Sequence, residues 1–166
     1  MATTYEPIAT TTLGSAAASI TFSSIASSWT DLVIIWNPQS ESTNSYPTIN
    51  FNNDTSTNYS YTTLFGTGST ASSQRGSNNS TAFLTSSAST ITTQPQLLKI
   101  NIFNYTGSTY KSFLSEYSGD NNGTGIVSNV VNLWRSTSAI TSIKLQMLSG
   151  NLAAGSTATL YGIKNA

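Results

Sequence analysis

The feature that most constrains this chain is the recurrence, along its whole length, of short apolar bursts, each closed by a cluster of Ser, Thr, Asn or Gly. Leu32-Val33-Ile34-Ile35-Trp36 is a continuous, β-branched run that Asn37-Pro38 ends. Leu98, Ile100 and Ile102 alternate with Lys99 and Asn101; Phe113, Ser115 and Tyr117 with Leu114 and Glu116; Ile143, Leu145 and Met147 with Lys144 and Gln146. A period of two places one set of side chains on one face of an extended chain, which is the signature of a half-buried strand. Ser, Thr and Asn make up roughly two-fifths of the sequence and are poor fillers of helix interiors. No long helix is expected.

The remaining segments fit the same scheme. Residues 3–12 are Thr-rich and contain Pro7, which a central ladder does not accept, so residues 1–12 read as an extended N-terminal arm or edge strand. Ile20 and Phe22 alternate with hydroxyls, Ile49 and Phe51 precede the turn formers Asn52-Asn53-Asp54, and Tyr59, Tyr61 and Thr63 share a face. Residues 67–95 are the most polar stretch, with Phe83-Leu84 and Ile91 as anchors, and read as a long excursion holding one or two short strands. Gly119-Asp120-Asn121-Asn122-Gly123 and Gly150-Asn151 mark turns around residues 126–134, which mix apolar residues with Asn129 and Asn132, and residues 157–163 supply the last strand. About ten short strands in 166 residues predict one all-β domain over residues 1–166, an antiparallel two-sheet sandwich of jelly-roll-like type.

Charge narrows the functions. Only 7% of residues are charged, six basic against six acidic, where an ordinary soluble domain carries roughly 25%. Net charge is zero, so the counterion release that drives nucleic-acid binding has little to act on. The chain has neither Cys nor His, which removes disulfides, Cys/His zinc sites and His-based acid/base chemistry. A glycosidase would need two of the carboxylates Glu6, Asp31, Glu41, Asp54, Glu116 and Asp120 facing each other; most sit beside turn residues, where they cap backbone. The loops around Asp54 and Asp120 are rich in oxygen but hold one carboxylate each, and read as Asx turns rather than calcium sites. No enzyme activity, catalytic residue, metal site or cofactor is therefore expected. The N-terminal segment has neither a basic region nor an uninterrupted apolar core, so a soluble protein made in a cytoplasm, without membrane contact, is expected.

Three side chains stand out as contact candidates. Trp36 and Trp134 end apolar runs and are expected in the core, whereas Trp29 and Tyr46 fall in loops and could stack on a glycan or bury against another subunit. Arg75, in the polar segment 73–77, could grip a partner carboxylate through its planar fork. In the arm, Tyr5 and Ile8 are the side chains with enough apolar surface to make contacts.

Several stretches carry a resemblance. Tyr5-Glu6-Pro7-Ile8-Ala9-Thr10-Thr11-Thr12-Leu13, Ser19-Ile20-Thr21-Phe22-Ser23-Ser24-Ile25 and Trp29-Thr30-Asp31-Leu32-Val33 are similar to segments of the small β-sandwich virion proteins of tailed bacteriophages. So are Asn58-Tyr59-Ser60-Tyr61 with Gly66-Thr67-Gly68-Ser69, the stretch from Leu133-Trp134-Arg135 to Ile143, and Thr159-Leu160-Tyr161-Gly162-Ile163. The resemblance covers nearly the whole chain and rests on strand and turn residues, so it speaks to fold more than to role. It implies a virion structural protein: a capsid decoration or cement protein on the outside of the head, otherwise a tail or fibre component; the sandwich architecture with the loop aromatics Trp29 and Tyr46 leaves a glycan-binding adhesion module as the alternative. The sequence carries no trimeric shaft or attachment domain of the fibre type, which favours the head. The partners it implies are the major capsid protein and further copies of the chain, as a homotrimer.

Overall fold

The computed structural model describes residues 4–42, 45–85, 96–120 and 122–164. The chain is all-β, with two antiparallel sheets packed as a sandwich. Its strands are β1 (Tyr5–Thr12), β2 (Ser19–Phe22), β3 (Asp31–Asn37), β4 (Pro47–Phe51), β5 (Tyr59–Gly66) and β6 (Ala71–Asn79), followed by β7 (Ala82–Phe83), β8 (Leu97–Ile102), β9 (Lys111–Gly119), β10 (Ile126–Trp134), β11 (Ile143–Met147) and β12 (Thr157–Ile163). One sheet has eight strands in the order β1-β12-β3-β8-β9-β10-β5-β6; the other has four, β2-β11-β4-β7. With the β8–β9 hairpin and the β1–β12 flank set aside, the larger sheet reduces to β3, β10, β5 and β6, and the two sets of four follow the strand order of a jelly roll.

Alternation decides which side chains meet between the sheets. Leu32, Ile34 and Trp36 of β3, Leu98, Ile100 and Ile102 of β8, and Phe113 and Tyr117 of β9 point inward, against Ile20, Phe22, Ile49, Phe51, Ile143 and Leu145 of the smaller sheet. Phe51 is the aromatic hub: its ring lies 5.0 Å from Phe113 and 5.5 Å from Trp134, and Trp134 stacks on Tyr59 at 6.4 Å. Emptying a hub of this kind, as in Phe51→Ala, costs about 3–5 kcal/mol. The turn after β4 has positive φ at Asn52 and Asn53 and closes with Asp54 N–H donating to the Phe51 carbonyl at 2.9 Å. That conformation suits asparagine, whose side chain tolerates the left-handed region. Asn52 also ties the turn to the loop before β11, its Oδ1 accepting from the N–H groups of Thr141 and Ser142 and its Nδ2 donating to Ala139 O.

Among the described residues twelve strands stand where about ten are expected from the sequence. The polar excursion, expected to hold one or two short strands, forms two: β6, nine residues long and mostly exposed, and the short β7 at Ala82–Phe83. β6 has no apolar alternation because it buries no face in the core; backbone pairing with β5, from Gly66↔Ala71 to Tyr61↔Gly76, holds it. Gly76 is required there, since a Cβ would lie 2.5 Å from the Tyr61 ring. Ile91 lies outside the described residues. The continuous apolar run Leu32–Trp36 is not covered evenly on its outer side, where Val33 is buried but Ile35, two residues on, is exposed.

Candidate functional site

The outer face of the eight-stranded sheet is built from the side chains that alternation turns away from the core. On β10 the inward set is Ser128, Val130, Asn132 and Trp134, which leaves Val127, Asn129, Val131 and Leu133 outside. Register aligns these with neighbours across the sheet: Val131 between Thr62 of β5 and Leu114 of β9, and Asn129 between Leu64 and Glu116. Four apolar side chains on this face are about half exposed or more, Leu64 (61%), Val127 (59%), Val131 (53%) and Leu97 (49%). Hydroxyls and amides separate them. Leu64, Leu114, Asn129 and Val131 line one shallow depression, and Thr62, Arg75, Val131 and Leu133 another beside it. At the centre of the sheet the Lys99–Glu116 pair, with N to O at 3.5 Å and both side chains exposed, neutralises the local charge. Eight strands spaced about 4.8 Å apart make this face about 34 Å wide.

Of the residues singled out from sequence, Arg75 and Tyr5 lie on this face, near its opposite edges, and Trp29, Tyr46 and Ile8 do not. Trp29 precedes β3 and is half-buried: its ring lies against Gly162, where a Cβ would stand 2.1 Å from it, and Lys164 Nζ lies 4.7 Å from its centroid. Tyr46 precedes β4, half-buried, with its ring 6.0 Å from Phe83 and edge-on to it. Arg75 lies on β6, a strand rather than a loop, at the far edge of the large sheet. Tyr5 is exposed and meets the Tyr161 ring edge-on at 6.2 Å, whereas Ile8, at the register shift of β1, packs on the core.

Each carboxylate has a definable partner. Asp31 Oδ1 accepts from Asn104 N–H at 2.7 Å, Asp120 Oδ1 from Gly123 N–H at 3.1 Å, and Glu41 Oε2 from Asn151 Nδ2 at 3.3 Å. Glu6 pairs with Lys164 at 3.4 Å, and Glu116 with Lys99. Asp54 Oδ2 accepts from Asn58 Nδ2 at 2.9 Å and Trp134 Nε1 at 2.8 Å, and Oδ1 from Ser56 N–H at 2.8 Å. Among cations, Lys111 is buried and donates from Nζ to the carbonyls of Gly107 and Thr109, both at 2.6 Å; burial lowers its pKa. These groups fasten turns and strands to one another.

Sequence reasoning missed the exposed apolar set. Its signal was present in β10, where Val127, Val131 and Leu133 accompany Val130 and Trp134 on the opposite parity, so that both faces of one strand are apolar. Comparison with known proteins finds no matching family model, no similar curated protein and no similar solved structure.

Proposed function

We propose that this protein is a non-enzymatic structural protein that lays the outer face of its eight-stranded sheet on a protein shell, as a decoration protein on the outside of a tailed-bacteriophage head. The observation that carries the reading is that face. About 34 Å of sheet width and about 20 Å of strand length give on the order of 700 Å², close to the roughly 800 Å² each partner contributes to a standard protein interface. Apolar side chains on it would supply burial, and the Ser, Thr and Asn between them hydrogen bonds. The Lys99–Glu116 pair is internally neutral, so contact made through this face would depend little on salt. The resemblance of the sequence to phage β-sandwich virion proteins supplies the identity of the shell. Glycan adhesion through Trp29 or Tyr46 has less support, because both rings are half-buried against their own chain.

Retention on heads of the parent phage prepared without the protein tests the reading. Purified protein should co-sediment with them at low and at high salt, and Val131→Glu and Leu64→Glu should each reduce retention at least tenfold while leaving the circular dichroism of the fold unchanged. Failure of the unaltered protein to co-sediment, or full retention of both variants, would overturn it.

A further inference from the structure

The two edges of the eight-stranded sheet are built differently. At the β1 edge Pro7 offers no N–H, the pairing with β12 shifts register between Pro7 and Ala9, and Glu6 is tied to Lys164. Proline, an irregular ladder and edge charges are the devices by which proteins keep a strand edge from pairing with another chain. Over its first six residues the β6 edge has neither proline nor an irregular ladder, and Arg75 is the one charge on it. Ala71 to Gly76 pair with Gly66 to Tyr61 in unbroken register, β6 contains neither proline nor lysine, and no described strand lies beyond it. Its outer row of backbone N–H and C=O groups is a template for one more strand.

We propose that this strand is β6 of a second copy, paired antiparallel about a two-fold axis normal to the sheet, so that two eight-stranded sheets join into one of sixteen. Charge and register narrow the arrangement. Residues directly opposite in a ladder lie on the same face of the sheet, so the axis passes through a residue and not between two. An axis at Arg75 would set guanidinium against guanidinium. An axis at Gln74 instead places Arg75 opposite Ser73 of the second copy, Gly76 opposite Ser72 and Ser77 opposite Ala71, and lets the two Gln74 amides exchange hydrogen bonds. It draws mainly on the regular part of β6 and sets no like charges directly opposite each other. With a net charge of zero, the chain meets its copy without general repulsion. The pairing is isologous and closes at two. It stands independently of what the outer face binds.

The interface is small, so the dimer is weak. Sedimentation velocity on the isolated protein, from micromolar to millimolar concentration, should show monomer giving way to dimer. Hydrogen exchange at the β6 amides that face away from β5 should slow severalfold over the same range. Ser73 lies on the exposed outer face, which makes it a register-specific probe. Ser73→Glu puts a carboxylate opposite Arg75 at both ends of the pairing and should tighten the dimer at least threefold; Ser73→Arg puts like charges there and should weaken it at least tenfold. A protein that stays monomeric at millimolar concentration would overturn the proposal. So would a dimer that responds alike to both changes at Ser73, or one abolished by Val131→Glu, which would mark association through the face. Because no shell is present, none of these outcomes bears on shell binding.

Discussion

Asp54 is the side chain on which the core's aromatic hub depends for its orientation, since Trp134 donates its indole N–H to it while Asn58 and the Ser56 backbone hold the carboxylate from the other side. Burial by itself raises its pKa, but the bonds from Asn58, Trp134 and Ser56 together outweigh that and hold it at about 2, below the ordinary 3.8. The folded state therefore binds this proton less tightly than the unfolded chain. Its contribution is complete above the unfolded value and is lost as pH falls from about 4 through 2. Asp54→Asn should cost about 1–2 kcal/mol at neutral pH, after allowance for solvent screening. Urea midpoints measured from pH 2 to 7 should show the variant and the parent converging toward pH 2; a gap that stays constant with pH would refute the assignment. Gly162 offers a second test at this scale. A Cβ there would collide with the Trp29 ring, so Gly162→Ala should destabilise by about 1–3 kcal/mol, and by much less in a Trp29→Ala background. Additive losses in that double-mutant cycle would mean that the ring is not pinned where the structure places it.

β1 shows how an element can be well ordered and still marginal to the core. Its backbone pairs with β12, Thr10 and Thr12 share hydroxyl hydrogen bonds of 3.0 Å with Thr159 and Thr157, and Ile8 reaches the core. Deleting residues 2–12 should leave the far-ultraviolet signature of the sandwich in place while lowering the thermal midpoint by several degrees; loss of all folded signal would make β1 part of the core instead. Strands such as β3, β8, β9 and β11 are legible in the sequence because one face of each is buried and the alternation records it. The position and length of β6 within the polar excursion are not legible, because hydrogen bonds to β5 hold it and these leave no mark on side-chain polarity. The candidate docking face was hidden for a related reason. Val131 and Val130 are equally apolar in sequence, and only the register of β10 against β5 and β9 determines which of them faces outward.

At the scale of the whole molecule, a broad sheet carries one neutral, half-apolar face, one edge blocked by Pro7 and one, along β6, that no described strand covers. In the proposed account the face meets a shell and the open edge meets a second copy, both through burial and main-chain hydrogen bonding rather than long-range charge. Stabilisation of a shell would then come from many modest interfaces acting together, each favouring the bound, unexpanded state by mass action. A side-chain-resolution reconstruction of the virion that carries this protein tests that claim most directly. The account predicts density for the sandwich on the outside of the head, with Leu64, Val127 and Val131 turned toward the capsid protein. Density confined to the tail, or a head-bound sandwich whose eight-stranded face looks out to solvent, would contradict it.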